Sequence, residues 1–192
     1  MEKFPQILEN VKKRVQFSYI EAVTPIQEPG KLFELLKPQH RDAQLQILDA
    51  GRIAGSRHML YAWANALAAF KGGYNISRNI AVEFLLFAST RKQINEAIRC
   101  VGVSPRTRNL LLVTFDSNSQ EHATIVKQIV TSIGGRVLDN QTFEKATKDK
   151  LRVLRSVFQL SRTELEASSK KIDVLAVENL ILERMAVQTA TR

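Results

Sequence analysis

The side chains in this 192-residue sequence best suited to chemistry are cationic, and two groups of them sit where helices are expected to begin. In "GRIAGSRHM" (51–59), Arg52, Arg57 and His58 surround Gly51 and Gly55; in "STRKQ" (89–93), Arg91, Lys92 and Gln93 follow a serine and a threonine. Each group runs into an apolar pattern of helical period, so the spacing predicts helix starts near Ser56 and Thr90. Cations in a first turn oppose the helix dipole by about 0.3–1 kcal/mol each. An anion bound at those ends reverses the sign, because free backbone N–H groups and basic side chains then point at the same ligand. Long side chains reaching into water explain one such helix; the pairing of two is better explained by an anion.

Catalytic readings find little support. His40, His58 and His122 lack metal-ligand spacing, and there is no Cys-x-x-Cys to hold zinc. The chain has no Gly-x-x-x-x-Gly-Lys loop, no Gly-x-Ser-x-Gly elbow and no Gly-x-Gly-x-x-Gly turn. Glu83 and Glu96 are a conceivable carboxylate pair, but Glu96 belongs on an exposed helix face and Glu83 is more simply a partner for Arg78 or Arg91. The expectation is a protein that is not an enzyme and takes no cofactor, metal or small-molecule substrate.

The formal charge is +9, and residues 51–110 hold nine Lys/Arg against two Asp/Glu, so the excess is concentrated in the block with the two cationic groups. Such concentration fits either a polyanionic partner or a basic surface with no ligand. Cys100, the only cysteine, has no internal disulfide partner, and charged residues crowd the first fourteen positions where a signal peptide would be apolar. No apolar run approaches the ~20 residues needed to cross a bilayer. A cytoplasmic protein without membrane contact is expected, nuclear as well in a eukaryote.

The elements that must position these groups alternate. Strands are predicted at Val15–Val23, Ala43–Asp49, 109–115 and about 136–138, the third central and buried on both faces. Helices are predicted over "KLFELLK" up to Pro38, about 56–71 with Met59, Leu60, Trp63, Ala66, Leu67 and Phe70 inward, 77–88, and 119–133. A further helix opens on a Thr90–Gln93 capping box and buries Ile94, Ala97, Ile98 and Val101. The remainder reads as helix at about 142–159, 162–169 behind the cap Ser161, and 173–188. This is an α/β (α+β) class: a small mixed or antiparallel sheet of about four strands packed with several helices, and a helical C-terminus. One domain over 1–192 is expected, with a loosely attached extension at 1–13.

The series Ile53-Ala54-Gly55-x-x-His58-x-Leu60, then Asn79, Glu83, Leu85 and Leu86, then Ala88-Ser89-x-Arg91-x-Gln93-Ile94-x-x-Ala97-Ile98-x-x-x-Gly102, resembles the smallest accessory subunit family of the KEOPS complex, the PRPK-binding, Cgi-type proteins. The likeness is dense over 47–115, weaker through the C-terminal helices and slight in the first forty residues. It implies a non-catalytic subunit in the machinery for threonylcarbamoyladenosine, docked on the small kinase/ATPase of the complex, with tRNA as a second partner captured in archaeal members through its CCA end. This chain is longer than compact archaeal members. A regulator that binds only the kinase remains the alternative.

On that resemblance Arg52, Arg57, His58, Asn79, Arg91, Lys92 and Gln93 become candidate RNA contacts. Phosphates would meet the helix ends, Gln93 and Asn79 would read base edges, and Tyr61, Tyr74 or the Arg91 guanidinium would stack on bases. His58 has the alternative of a buried, backbone-bonded place, and Gln93 that of a capping role. The last helix carries two apolar stripes, Val174, Val177, Ile181 and Met185 on one and Leu175, Leu182 and Ala186 on another. It must therefore cover a core and leave apolar surface over, or be buried all round. The resemblance favours kinase docking here, with Leu165, Val177, Ile181 and Leu182 as candidates.

Overall fold

The computed structural model describes residues 4–36, 43–169 and 172–192; His40 and Pro38 lie outside them. The chain runs α1 (Phe4–Lys13), β1 (Val15–Glu21), α2 (Pro29–Leu36), β2 (Gln44–Asp49), a 3-10 turn (Ala50–Arg52), α3 (Ser56–Gly72), α4 (Ile80–Ser89) and α5 (Ile94–Val101). It continues through β3 (Asn109–Phe115), α6 (Ser119–Ile133), β4 (Arg136–Leu138), α7 (Asn140–Glu144), α8 (Lys148–Val157), α9 (Arg162–Ser168) and α10 (Val174–Ala190). Two compact units result, one from residues 1–50 with 102–143 and one from 51–101 with 144–192.

The first unit holds one antiparallel sheet in the order β2-β3-β1-β4. The run "NLLLVTF" becomes the central strand because it is apolar at consecutive positions: Leu110, Leu111, Leu112 and Val113 are all fully buried, which requires cover on both faces. Ile20, Ile47, Leu110 and Leu112 pack with Leu32 and Leu36 of α2 and Ile125 and Ile129 of α6. β1 stops at Glu21, two residues before the predicted end, where the backbone leaves the ladder and Ala22 donates to the carbonyl of Arg108. α6 spans 119–133 as its period indicates, opened by Asn118 accepting from Glu121 N–H and closed by Gly134 in the left-handed region.

In the second unit the described elements are all helices. α3 packs on α4 and α10, with Trp63 fully buried and Ala62, Ala66 and Ala69 letting neighbours approach closely. α4, whose apolar run is equally compatible with a strand, is a helix buried from Glu83 to Ser89 and opened by Asn79 accepting from Val82 N–H.

Two expectations are corrected. Thr90 does not open α5; it closes α4 in the left-handed region at φ 56°, donating its N–H to Leu86 and Phe87 carbonyls, and α5 begins at Ile94. The helix that results turns Ala97, Cys100 and Val101 inward and leaves Ile94 44% and Ile98 47% exposed, instead of burying all four predicted positions. The single helix predicted over 142–159 is two, because Thr147 caps a new start by accepting from Lys150 N–H.

Two of the left-handed helix ends, at Gly134 and Thr90, have opposite chemistry. A Cβ at Gly134 meets nothing closer than 3.9 Å, so its cost is conformational alone. Gly134→Ala is expected to destabilise by about 1 kcal/mol, and Thr90→Gly to stabilise by up to about 1 kcal/mol, since a β-branched residue leaves a region it disfavours. Thermal unfolding of the two variants beside the wild type checks both signs.

Candidate functional site

The anion expected at the head of α3 is present, and it belongs to the protein. Ser56 N–H donates to Glu144 Oε1 at 2.8 Å, the Ser56 hydroxyl donates to the same oxygen, and His58 N–H donates to Glu178 Oε1 at 3.2 Å. Arg57, the cation that opposes the dipole, pairs with Glu178 Oε2 at 3.0 Å. Burial pushes Glu178 above the usual carboxylate range against the downward pull of Arg57 and the His58 N–H, while burial pulls Lys150 down against Glu144 and Glu178. Gly55 lies close to both carboxylates: a Cβ there would lie 2.7 Å from Glu144 Oε2 and 3.3 Å from Glu178 Oε1, so a larger residue would push the Glu144 carboxylate aside.

His58 is fully buried beneath the same turn. Its Nδ1 accepts from Ala54 N–H at 3.2 Å, which leaves the proton on Nε2, 2.8 Å from the Ala88 carbonyl it donates to. The ring meets Phe158 edge-on, 5.7 Å between centroids. Desolvation lowers its pKa to about 4, so it is neutral at pH 7 and has no nitrogen left for RNA. As a candidate RNA contact His58 is corrected: it is an interior tie between the α3 head and the end of α4.

The other candidates serve separate local structures. Arg52 donates to the carbonyls of Arg99 and Cys100 at 2.7 and 3.3 Å, a cation on the C-terminal carbonyls of α5. Asn79 is the cap of α4. Lys92 Nζ donates to the carbonyl and hydroxyl of Thr191. Gln93 is exposed and lends its carbonyl to Ala97 N–H as α5 opens; the capping box predicted with Thr90 is not formed. Arg91 joins Arg99, Glu96, Cys100, Val157 and Gln159 around a polar cleft of about 300 Å³, and burial pushes the Cys100 thiol up despite Arg91 beside it.

On α10 the two stripes separate. Val177, Ile181 and Met185 are fully buried, as is Leu165 of α9, so Leu165, Val177 and Ile181 are corrected from docking candidates to core. Leu182 is half-buried, while Leu175 is 56% and Val187 62% exposed. Sequence reasoning passed over Glu178 and Glu144. Glu178 did leave a signal, since it stands one turn before Leu182 and beside the buried Val177 on a helix otherwise apolar there. Glu83 is buried, accepts from Ile76 and Ser77 N–H and pairs with Arg192, not with Arg78 or Arg91; the Arg192 guanidinium lies 3.9 Å over the Phe87 ring. Among the described residues no group of three His, Cys, Asp or Glu side chains is placed to hold a metal ion, and no helix is long and apolar enough to cross a membrane.

A family model described as kinase binding protein CGI-121 matches residues 23–189. The chain is also similar to the regulatory protein Cgi121 of Methanocaldococcus jannaschii, 30% identical over 117 residues that make up 61% of this chain and 71% of that protein.

Burial of neutral His58 carries a pH signature. The unfolded chain takes up a proton near pH 6.5 and the folded one only near pH 4, so stability is lost as pH falls through that window and levels off below it. The loss amounts to about 3 kcal/mol for this group. His58→Gln, whose amide does not titrate, is expected to show a flatter fall in stability between pH 6.5 and 4 in urea unfolding; an unchanged pH dependence would assign the acid sensitivity elsewhere.

Proposed function

The chain belongs to the CGI-121 kinase binding protein family, and from that premise we propose that it is a non-catalytic accessory subunit of the KEOPS complex, which docks on the small kinase/ATPase and recruits tRNA for threonylcarbamoyladenosine formation. The observation that carries the kinase-binding part is the division of α10. One stripe is consumed by the core at Val177, Ile181 and Met185, and the other leaves Leu175, Leu182 and Ala186 along the outer side of the helix, with Val187 exposed beside it. An apolar strip of this kind on an otherwise capped and packed helix supports a protein partner.

The RNA part rests on the net charge and on Arg91 and Arg99, which line the polar cleft with Glu96. A second reading, a kinase-binding regulator with no RNA contact, is favoured by the internal use of Arg52, Arg57 and Lys92. Salt separates the two: phosphate contacts make log affinity for tRNA fall linearly with log salt, whereas the second reading gives no specific tRNA binding by the isolated protein.

For the kinase contact, Leu182→Arg and Leu175→Glu are each expected to abolish co-purification with the kinase while leaving the melting temperature within a few degrees of wild type. Ile181→Arg, which places a charge in the core, is expected to unfold the protein instead. Retained co-purification of both outer variants would move the docking face off α10.

A further inference from the structure

We propose that the outer face of α8 is a groove for the phosphodiester backbone of RNA, a site separate from the cationic block at 51–110; the proposal rests on the RNA-binding reading above. Lys148, Arg152 and Arg155 fall at i, i+4 and i+7, so they stand in a row along about 10 Å of helix. With Leu151, Ser156 and Leu160 they line a cleft of about 430 Å³. Among the described residues no carboxylate lines it. Asp149, the acid that pairs with Arg152 at 3.3 Å, does so with both side chains largely in water, where such a pair holds weakly.

At the end of the groove Arg155 is half-buried, which removes part of its competing hydration and favours a charged acceptor such as a phosphate oxygen. The Ser156 hydroxyl adds a donor at the same end, and Leu151 and Leu160 give a sugar or base an apolar floor. A row of cations suits successive phosphates better than a single ion, which a closed cup would hold. α8 divides its cations by face: Lys150 lies within the field of Glu144 and Glu178, leaving the other three for the groove.

The position also fits the cleft-lining cations elsewhere in this unit. The turn that ends α8 lines this groove through Ser156 and Leu160 and lines the Arg91–Arg99 cleft through Val157 and Gln159. Gln159 holds that turn at φ 52°, a conformation non-glycine residues adopt seldom and often where function requires it. Two basic clefts therefore flank one turn, and a single strand crossing it would meet cations on either side.

The test is fluorescence anisotropy of a short single-stranded oligoribonucleotide over a salt series, with the full chain. Lys148→Gln/Arg152→Gln alters exposed side chains only and should keep the wild-type melting temperature. It is expected to weaken binding and make the log–log salt slope shallower by about 1.4, two single-strand phosphate contacts. Lys12→Gln/Lys13→Gln, which removes the same charge from exposed positions of α1, should change the slope little. Wild-type binding with an unaltered slope in the α8 variant overturns the groove and leaves the RNA reading standing; no binding by the wild type overturns both. Equal displacement of the RNA by a poly-glutamate peptide would also overturn it, by making the groove a site for acidic protein segments.

Discussion

The head of α3 must be given an anion, and much of the helical unit is arranged to supply one. A helix that starts with Ser56, Arg57 and His58 has free N–H groups, the positive end of a dipole and a cation together, and no acid in its own first turn. Glu144 comes from the segment before α8 and Glu178 from the second turn of α10, so two distant parts of the chain meet at one turn. A side chain at Gly55 would displace the Glu144 carboxylate, and His58 is neutral because the same turn buries it. The interaction that looked like a ligand site is the clasp that ties α3 to α10.

This reassigns the basic residues. Arg57 neutralises the clasp, Arg52 covers the carbonyls that end α5, and Lys92 holds the end of α10, so each has a structural duty beside any other. The cations that line the two clefts lie on α5, on α8 and before them at Arg91, partly outside the block whose charge density is highest. Net charge over a stretch of sequence measures composition; which charges face a ligand is decided by where carboxylates of the same chain arrive.

Periodicity made the sheet, α6 and the course of α3 legible, because a central apolar strand, a closing Gly134 and an alanine-rich helix each leave one consistent pattern. Capping was less decisive. Ser161–Glu164 and Thr90–Gln93 share the same spacing of hydroxyl and acid or amide, and the first forms a capping box while the second does not. The difference is what precedes them: α4 runs up to Ser89 and needs Thr90 to end it, and no local rule reveals that claim on the residue. The candidate site was legible as an anion-demanding helix start but not as a filled one, since Glu144 and Glu178 are 88 and 120 positions away from the groups they accept from. On α10 the sequence showed two apolar stripes and only packing could choose the inner one.

The α3 head is filled from within, and the RNA proposed as a partner is expected to meet cations elsewhere. Backbone and arginine side-chain N–H resonances of the uniformly labelled protein, followed during titration with a single-stranded oligoribonucleotide ending in CCA, test it most directly. Arg91, Arg99, Arg152 and Arg155 signals are predicted to move with saturation while the Ser56 and His58 amides stay in place. Movement of the Ser56 and His58 amides, with the arginine signals unmoved, would contradict the account by showing that RNA phosphate displaces Glu144 and Glu178.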